Sequence, residues 1–105
     1  MKSTTYLHAI ERVIRTHAQA PGHGRIEAQV LYDPAQARYL LLHVGWNGTR
    51  RVHSVILDLR IEHDNVVIEH DGLMTVPGLT EELTRAGVAA RDIVASFWQP
   101  VTPLP

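Results

Sequence analysis

Histidine is the residue type in this chain that most directly suggests chemistry, because an imidazole binds metals and titrates near neutral pH. Seven histidines occur, at positions 8, 17, 23, 43, 53, 63 and 70. None has the H-x-x-x-H or H-E-x-x-H spacing of a zinc site, and the chain has no cysteine. His43 and His53 flank an Asn47-Gly48 turn and could face each other across a hairpin. We expect surface or core-edge imidazoles, with no metal and no cofactor.

Two short segments combine carboxylates with histidine, namely Glu62-His63-Asp64 and Glu69-His70-Asp71. Acid–base catalysis needs such groups together in one pocket, whereas adjacent residues of a strand point to opposite faces. Ser54 is an available nucleophile, but the glycines of a nucleophile elbow do not surround it. The glycines at 22, 24, 45 and 48 match neither a phosphate-binding loop nor a dinucleotide-binding fingerprint. We therefore predict that the chain is not an enzyme.

Trp46, Arg50 and Arg51 cluster around the Asn47-Gly48 turn and suggest binding instead of catalysis. Tryptophan and arginine are enriched in protein interfaces because they combine large contact areas with directional polar groups. The arginines could stack on Trp46, pair with carboxylates or contact phosphate; alternatively, Trp46 covers the end of a sheet and the arginines are solvated. Trp98 is an additional candidate, although its spacing from Val94 also fits a core position. We predict a partner-binding site at these residues.

Length and charge restrict the possible functions. The 105 residues fit a single domain over 1–105, and 10 Lys and Arg balance 11 Asp and Glu. A net charge of −1 gives no long-range field that would attract nucleic acid or an anionic membrane. There is no apolar leader and no apolar run long enough to span a bilayer. We expect a cytoplasmic protein that binds neither membranes nor, strongly, DNA.

Hydrophobic periodicity predicts the elements that must position these residues. Residues 4–20 form an amphipathic helix, and strands follow at about 26–32, 38–46, 50–62 and 66–70. Short helices are predicted at about 78–86 and 90–98, with Gly87 ending the first of them. Because hairpins link the strands, the prediction is an α+β fold: an N-terminal helix, a four-stranded antiparallel meander and two short C-terminal helices packed on one sheet face.

The third predicted strand is long enough to need a bend, which we place near Val52–Ser54. Along it, alternation predicts that Val55 faces the same way as Leu57, Leu59 and Ile61.

In order along residues 4–100, the chain resembles the XisI family. The resemblance is carried by a V-G-W-x-x-x-R-R hairpin, a strand that ends in D-G, and a G-V-x-x-x-D-I-V-x-x-F-x-x-P ending. In this chain the matching residues are Val44-Gly45-Trp46, Arg50-Arg51, Asp71-Gly72, Gly87-Val88, Asp92-Ile93-Val94, Phe97 and Pro100. No single motif is very specific, but their ordered combination is.

The resemblance implies a controlling factor for excision of the fdxN DNA element in cyanobacteria. In that system a separate recombinase exchanges the strands, and XisI-like proteins act beside XisH-like proteins, which look like nuclease-fold partners. The implied function is therefore a non-catalytic accessory role exerted through an XisH-like partner. Three alternatives stay open: an antidote-like inhibitor of a nuclease partner, a DNA-binding module, and a small enzyme. A homo-oligomer is also possible.

Overall fold

The computed structural model describes residues 2–19, 24–73 and 78–96, which form two α-helices and a five-stranded sheet. In chain order the elements are α1 (Lys2–Ala18), β1 (Arg25–Asp33), β2 (Arg38–Asn47), β3 (Arg50–Glu62), β4 (Asn65–Asp71), α2 (Leu79–Arg85), a 3-10 turn (Ala90–Asp92) and β5 (Ile93–Ala95). The predicted α+β class and the N-terminal helix are confirmed.

The sheet has the strand order β1-β2-β3-β4-β5, and its first four strands form the predicted antiparallel meander. The prediction of only four strands, all antiparallel, is wrong, because β5 pairs in parallel with β4. A parallel pair needs a crossover connection, and α2 lies within it. The helix predicted over 90–98 is also wrong, since its described part is the 3-10 turn followed by β5.

Two features explain why residues 93–95 form a strand instead of a helix. Ile93 and Val94 are β-branched, which favours extended backbone over helix. Pairing of Ile93–Ala95 with Val66–Ile68 also satisfies backbone groups at the edge of β4. Over so few residues, a period of two cannot be distinguished from a period of 3.6.

One side of the sheet, the helix face, packs against α1 and α2 and forms the core. Its buried residues are Tyr6, Ala9, Ile10, Val13, Ile14, Tyr39, Leu41, Leu57, Leu59, Val66, Ile68, Leu79, Leu83 and Val88. Burial of one leucine or isoleucine side chain stabilises the fold by about 1.5–3 kcal/mol. The other side of the sheet, which neither α1 nor α2 covers, is called the open face below.

A β-bulge in β3 determines which side chains reach the open face. Leu41 pairs with Leu57 but Leu42 pairs with Val55, so Ile56 is an extra residue in the ladder. The bulge inverts the alternation: Leu57 is fully buried on the helix face, whereas Val55 is 41% exposed. The prediction that both share one face is therefore wrong, and the bend lies later in the strand than predicted.

A partly buried network joins the start of α1 to the turn before β5. The Tyr6 hydroxyl donates to the Asp92 carboxylate at 2.6 Å, and Lys2 Nζ lies 2.8 Å from the same oxygen. The hydrogen bond from Lys2, and to a smaller extent the one from Tyr6, holds the pKa of Asp92 below its usual range. The ionised network therefore stabilises the fold above the carboxyl's unfolded pKa, and the stabilisation is lost as the pH falls through the lower folded pKa.

We expect Tyr6→Phe to lower the free energy of unfolding at pH 7 by about 1–2 kcal/mol, because it removes a buried hydrogen bond to a charged group and keeps the ring. Denaturant unfolding measures this. Tyr32→Phe, which alters a 44% exposed tyrosine, is the matched control and should change little. Asp92→Asn should flatten the decline in stability between about pH 5 and about pH 3. Equal losses in the two tyrosine variants would contradict this account.

Candidate partner-binding site

The β2–β3 hairpin places Trp46 beside Arg51. Its two-residue loop is Gly48-Thr49, and Gly48 has φ 64°, as the first position of a type II′ turn favours. Trp46 and Arg51 are direct partners in the ladder, so their side chains lie on the same face of the sheet. Arg50 precedes Arg51 in β3 and alternates to the other face. The hairpin therefore brings together two of the predicted site residues and directs the third away.

The Trp46 ring is held in place without being buried. The Arg51 guanidinium carbon lies 5.4 Å from the centroid of the Trp46 ring, and its Nη1 donates to the Gly45 carbonyl at 3.3 Å. Such a cation–π contact stabilises an exposed pair by about 0.5–1 kcal/mol. Trp46 is still 42% exposed, so a partner could bury ring surface that contacts solvent in the free protein.

Sequence reasoning missed a second arginine at this site, Arg25. The β1–β2 register pairs Arg25 with Trp46, so Arg25, Trp46 and Arg51 form one row across three strands on the open face. The signal was present in the sequence, because counting back from the turn between Asp33 and Arg38 gives this pairing. Arg25 was missed because it lies far from the hairpin along the chain.

Apolar side chains extend the site along the open face. Of the five exposed large hydrophobic residues among those described, four belong to this face by register: Leu31, Trp46, Val55 and Val94. Half-buried side chains of β2, namely Leu40, Leu42 and Val44, connect Leu31, Trp46 and Val55, whereas Val94 lies apart at the β5 edge. An apolar surface bordered by arginines is typical of a protein-docking surface.

Ion pairs occupy the end of the open face far from Trp46. Arg38 makes a bidentate pair with Asp58, with N–O distances of 2.8 and 2.6 Å. Arg60 lies 2.5 Å from Glu62 and 3.0 Å from Glu69. Two of the four carboxylates that looked like acid–base candidates in the sequence, Glu62 and Glu69, therefore hold Arg60.

The histidines are dispersed in the described ranges. His43 pairs with Ser54, and His53 pairs with Val44, so the two imidazoles do not face each other. His17 Nε2 lies 2.9 Å from the Glu82 carboxylate and links α1 to α2. Among residues 2–19, 24–73 and 78–96 there is no group of three or more His, Asp or Glu side chains placed to hold a metal ion. His23 and Trp98 lie outside these ranges.

The chain matches the family model described as XisI protein over residues 1–102. It belongs to the XisI family. The fdxN element excision controlling factor XisI from Anabaena variabilis ATCC 29413 has a solved structure that is 29% identical, with a TM-score of 0.78, and the match covers 95% of this chain and 96% of that chain.

A solved XisI-like protein from the same organism is 22% identical, with a TM-score of 0.82, and the match covers 93% of this chain and 89% of that one. At that identity the similarity supports the fold. A comparison with curated proteins gave no match. Neither described helix is long and apolar enough to cross a membrane.

Membership of the XisI family confirms the resemblance inferred from the motifs, and the geometry gives two of those motifs distinct roles. The V-G-W motif supplies Trp46 to the open face. The carboxylate of the D-I-V motif, Asp92, lies in the Tyr6–Lys2 network and has a structural role.

Proposed function

We propose that this chain is a non-catalytic controlling factor for excision of a DNA element, and that it acts by binding an XisH-like, nuclease-fold protein. The observation that carries the proposal is XisI-family membership together with 29% identity, over nearly the whole of both chains, to an excision controlling factor. One of the motifs that carry the resemblance, V-G-W-x-x-x-R-R, forms the hairpin that presents Trp46.

The chemistry of the described residues favours binding over catalysis. Of the four carboxylates that flank His63 and His70 in the sequence, Glu62 and Glu69 are ion-paired with Arg60. His63 lies in an exposed turn with its side chain 87% accessible, where no pocket shields it from water. These groups are arranged as surface ion pairs, which suits an accessory protein.

The open face supplies the contacts that an XisH-like partner would use. Trp46 offers an ordered aromatic anchor, and Arg25 and Arg51 on either side of it can pair with carboxylates at the partner's edge. Arg50 stays in the proposed site as a peripheral charge, because it projects from the opposite face of the same hairpin.

Co-expression with an XisH-like protein tests the proposal. We expect a stable complex on size-exclusion chromatography and a change in excision or cleavage of an element-bearing DNA that depends on both proteins. The chain alone should leave the DNA intact. Strand cleavage by the chain alone, or no complex with any XisH-like protein offered, would overturn the proposal. Complete suppression of the partner's nuclease activity would instead identify an antidote-like inhibitor.

Direct DNA recognition is the competing function, and we expect it to be absent. A net charge of −1 gives no overall attraction to DNA, so any counterion release would come only from local arginines. In a fluorescence-anisotropy titration at about 150 mM salt, we expect no specific binding of element-end duplexes. A dissociation constant of about 10 nM or tighter, with preference over scrambled DNA, would show a DNA-binding module instead.

A further inference from the structure

The free edge of β1 is unusual for a monomeric protein. β1 is nine residues long and lies at the end of the strand order, so among the described elements only β2 pairs with it. Its ladder with β2 runs from Arg25 to Asp33 without a bulge, and the strand contains neither proline nor lysine. Bulges, prolines and lysines are among the features that protect such edges in other proteins, because the unpaired N–H and C=O groups can bind another strand.

Apolar side chains are exposed on both faces of this edge. Leu31, on the open face, is 46% exposed, and Tyr32, on the helix face, is 44% exposed. Ile26, Ala28 and Val30 face the helices but are only half-buried. A strand added beside β1 would cover side chains on both faces at once, which a partner docked on one face of the sheet would not do.

We propose that the occupant of this edge is β1 of a second copy of the chain, paired antiparallel about a twofold axis at Gln29. In this register Arg25 lies opposite the partner's Asp33 at both ends of the joined strands. On the helix face, Ile26 meets the partner's Tyr32, an aromatic–β-branched pair. The two sheets then continue into one, with both layers of helices on the same side.

Charge pairing selects this register over its neighbours. It is the register in which all nine residues of β1 find partners. A shift that centres the axis on Val30 places Glu27 opposite the partner's Asp33 twice, which is repulsive. A shift that centres it on Ala28 leaves both Asp33 carboxylates without Arg25. When β1 is paired antiparallel with a second β1 about Gln29, each charged end therefore meets the opposite charge. An isologous interface requires such self-complementarity.

The dimer does not depend on the proposed function. The two proposals share Arg25 and Leu31 of β1, but Trp46 and Arg51 lie in β2 and β3, and the antiparallel arrangement carries the two Arg25–Trp46–Arg51 rows to opposite ends of the interface. Failure of either proposal therefore leaves the other standing. Because strand pairing alone buries less than a standard interface, we expect a dissociation constant on the order of tens of micromolar.

Sedimentation equilibrium of the full chain tests the dimer. We expect the mass to rise from 11.8 kDa toward twice that value as the concentration increases to about 300 µM. Hydrogen exchange should show concentration-dependent protection in β1, spaced at every second residue. A chain that remains monomeric at about 300 µM overturns the proposal, as does β1 protection that appears only when a different protein is added.

Two substitutions of Leu31 test the register itself. Leu31 lies opposite the partner's Glu27, so Leu31→Lys creates attraction at two symmetric positions and Leu31→Glu creates repulsion at the same positions. Both substitutions remove the same exposed leucine, so a difference between the two variants reports the introduced charge and not the loss of Leu31. We expect Leu31→Glu to dimerise at least about tenfold more weakly than Leu31→Lys.

The double variant Glu27→Lys/Leu31→Glu restores opposite charges and should recover the dimer lost in Leu31→Glu. Thermal melts of all three variants separate changes in association from changes in folding. Equal dimerisation of the two Leu31 variants, or a double variant no stronger than Leu31→Glu, would contradict this register.

Discussion

Gly45→Ala is expected to lower the free energy of unfolding by about 3 kcal/mol or more, a large part of the stability of a small domain. A Cβ at Gly45 would lie 1.9 Å from the Arg25 carbonyl oxygen and 2.8 Å from Ile26 Cα. These are backbone atoms of the paired strand, so they cannot rotate away as the end of a flexible side chain can. The φ of +151° adds a conformation that other residues rarely adopt.

Gly48→Ala is the matched control for this prediction. Gly48 also has a positive φ, at +64°, but a Cβ there would meet nothing within 4 Å. We expect it to cost about 1–2 kcal/mol, the cost of a left-handed conformation alone. Urea unfolding followed by circular dichroism measures both variants. If Gly45→Ala is no less stable than Gly48→Ala, the close approach of β1 to β2 is not as described.

The close approach of β1 to β2 also explains why the V-G-W motif has a glycine at position 45. Only a residue without Cβ lets the backbone at Arg25 approach β2 at Gly45. This approach places Arg25 beside Trp46 in the next ladder position. The glycine is therefore a positioning residue of the proposed docking surface, although it offers no side chain to a partner.

Local signals predicted the parts of the fold in which sequence neighbours become structural neighbours. The Asn47-Gly48 dipeptide correctly indicated the β2–β3 hairpin, although the loop itself is Gly48-Thr49. Gly87 ends α2 with φ 115°, as its position predicted. Such features depend on the conformation of one or two residues, which the sequence states directly.

Features that depend on distant pairing were missed. β5 forms a strand because the edge of β4 is available to it, and Ile93–Ala95 alone do not show that edge. The bulge at Ile56 reversed the expected orientation of Val55 because one extra residue shifts every later side chain. At the candidate site, Trp46 and Arg51 were within reach of local reasoning, whereas Arg25 required the register of β1 against β2.

Trp46→Ala is expected to weaken the complex with an XisH-like partner by about 2 kcal/mol, roughly 30-fold in dissociation constant. The ring is ordered by Arg51 at 5.4 Å and is 42% exposed, so a partner can bury an anchor that is already in position. Folding should change little, because an exposed side chain at the end of the sheet fills little of the core. Isothermal titration calorimetry with the purified partner measures the affinity, and a thermal melt measures the folding.

The two arginines that follow the turn supply an internal control. Arg51→Ala removes the contact that orders Trp46 and also removes a charge on the open face, so it should raise the off-rate and reduce the salt dependence of binding. Arg50→Ala removes the same charge from the opposite face and should do less, because any partner seated on the open face is beyond its reach. Equal effects of the two arginines would mean that only overall charge matters. Unchanged affinity in Trp46→Ala would mean that the interface lies elsewhere on the open face, toward Leu31 and Val55. A Trp46→Ala variant that unfolds but still binds would show that Trp46 belongs to the core.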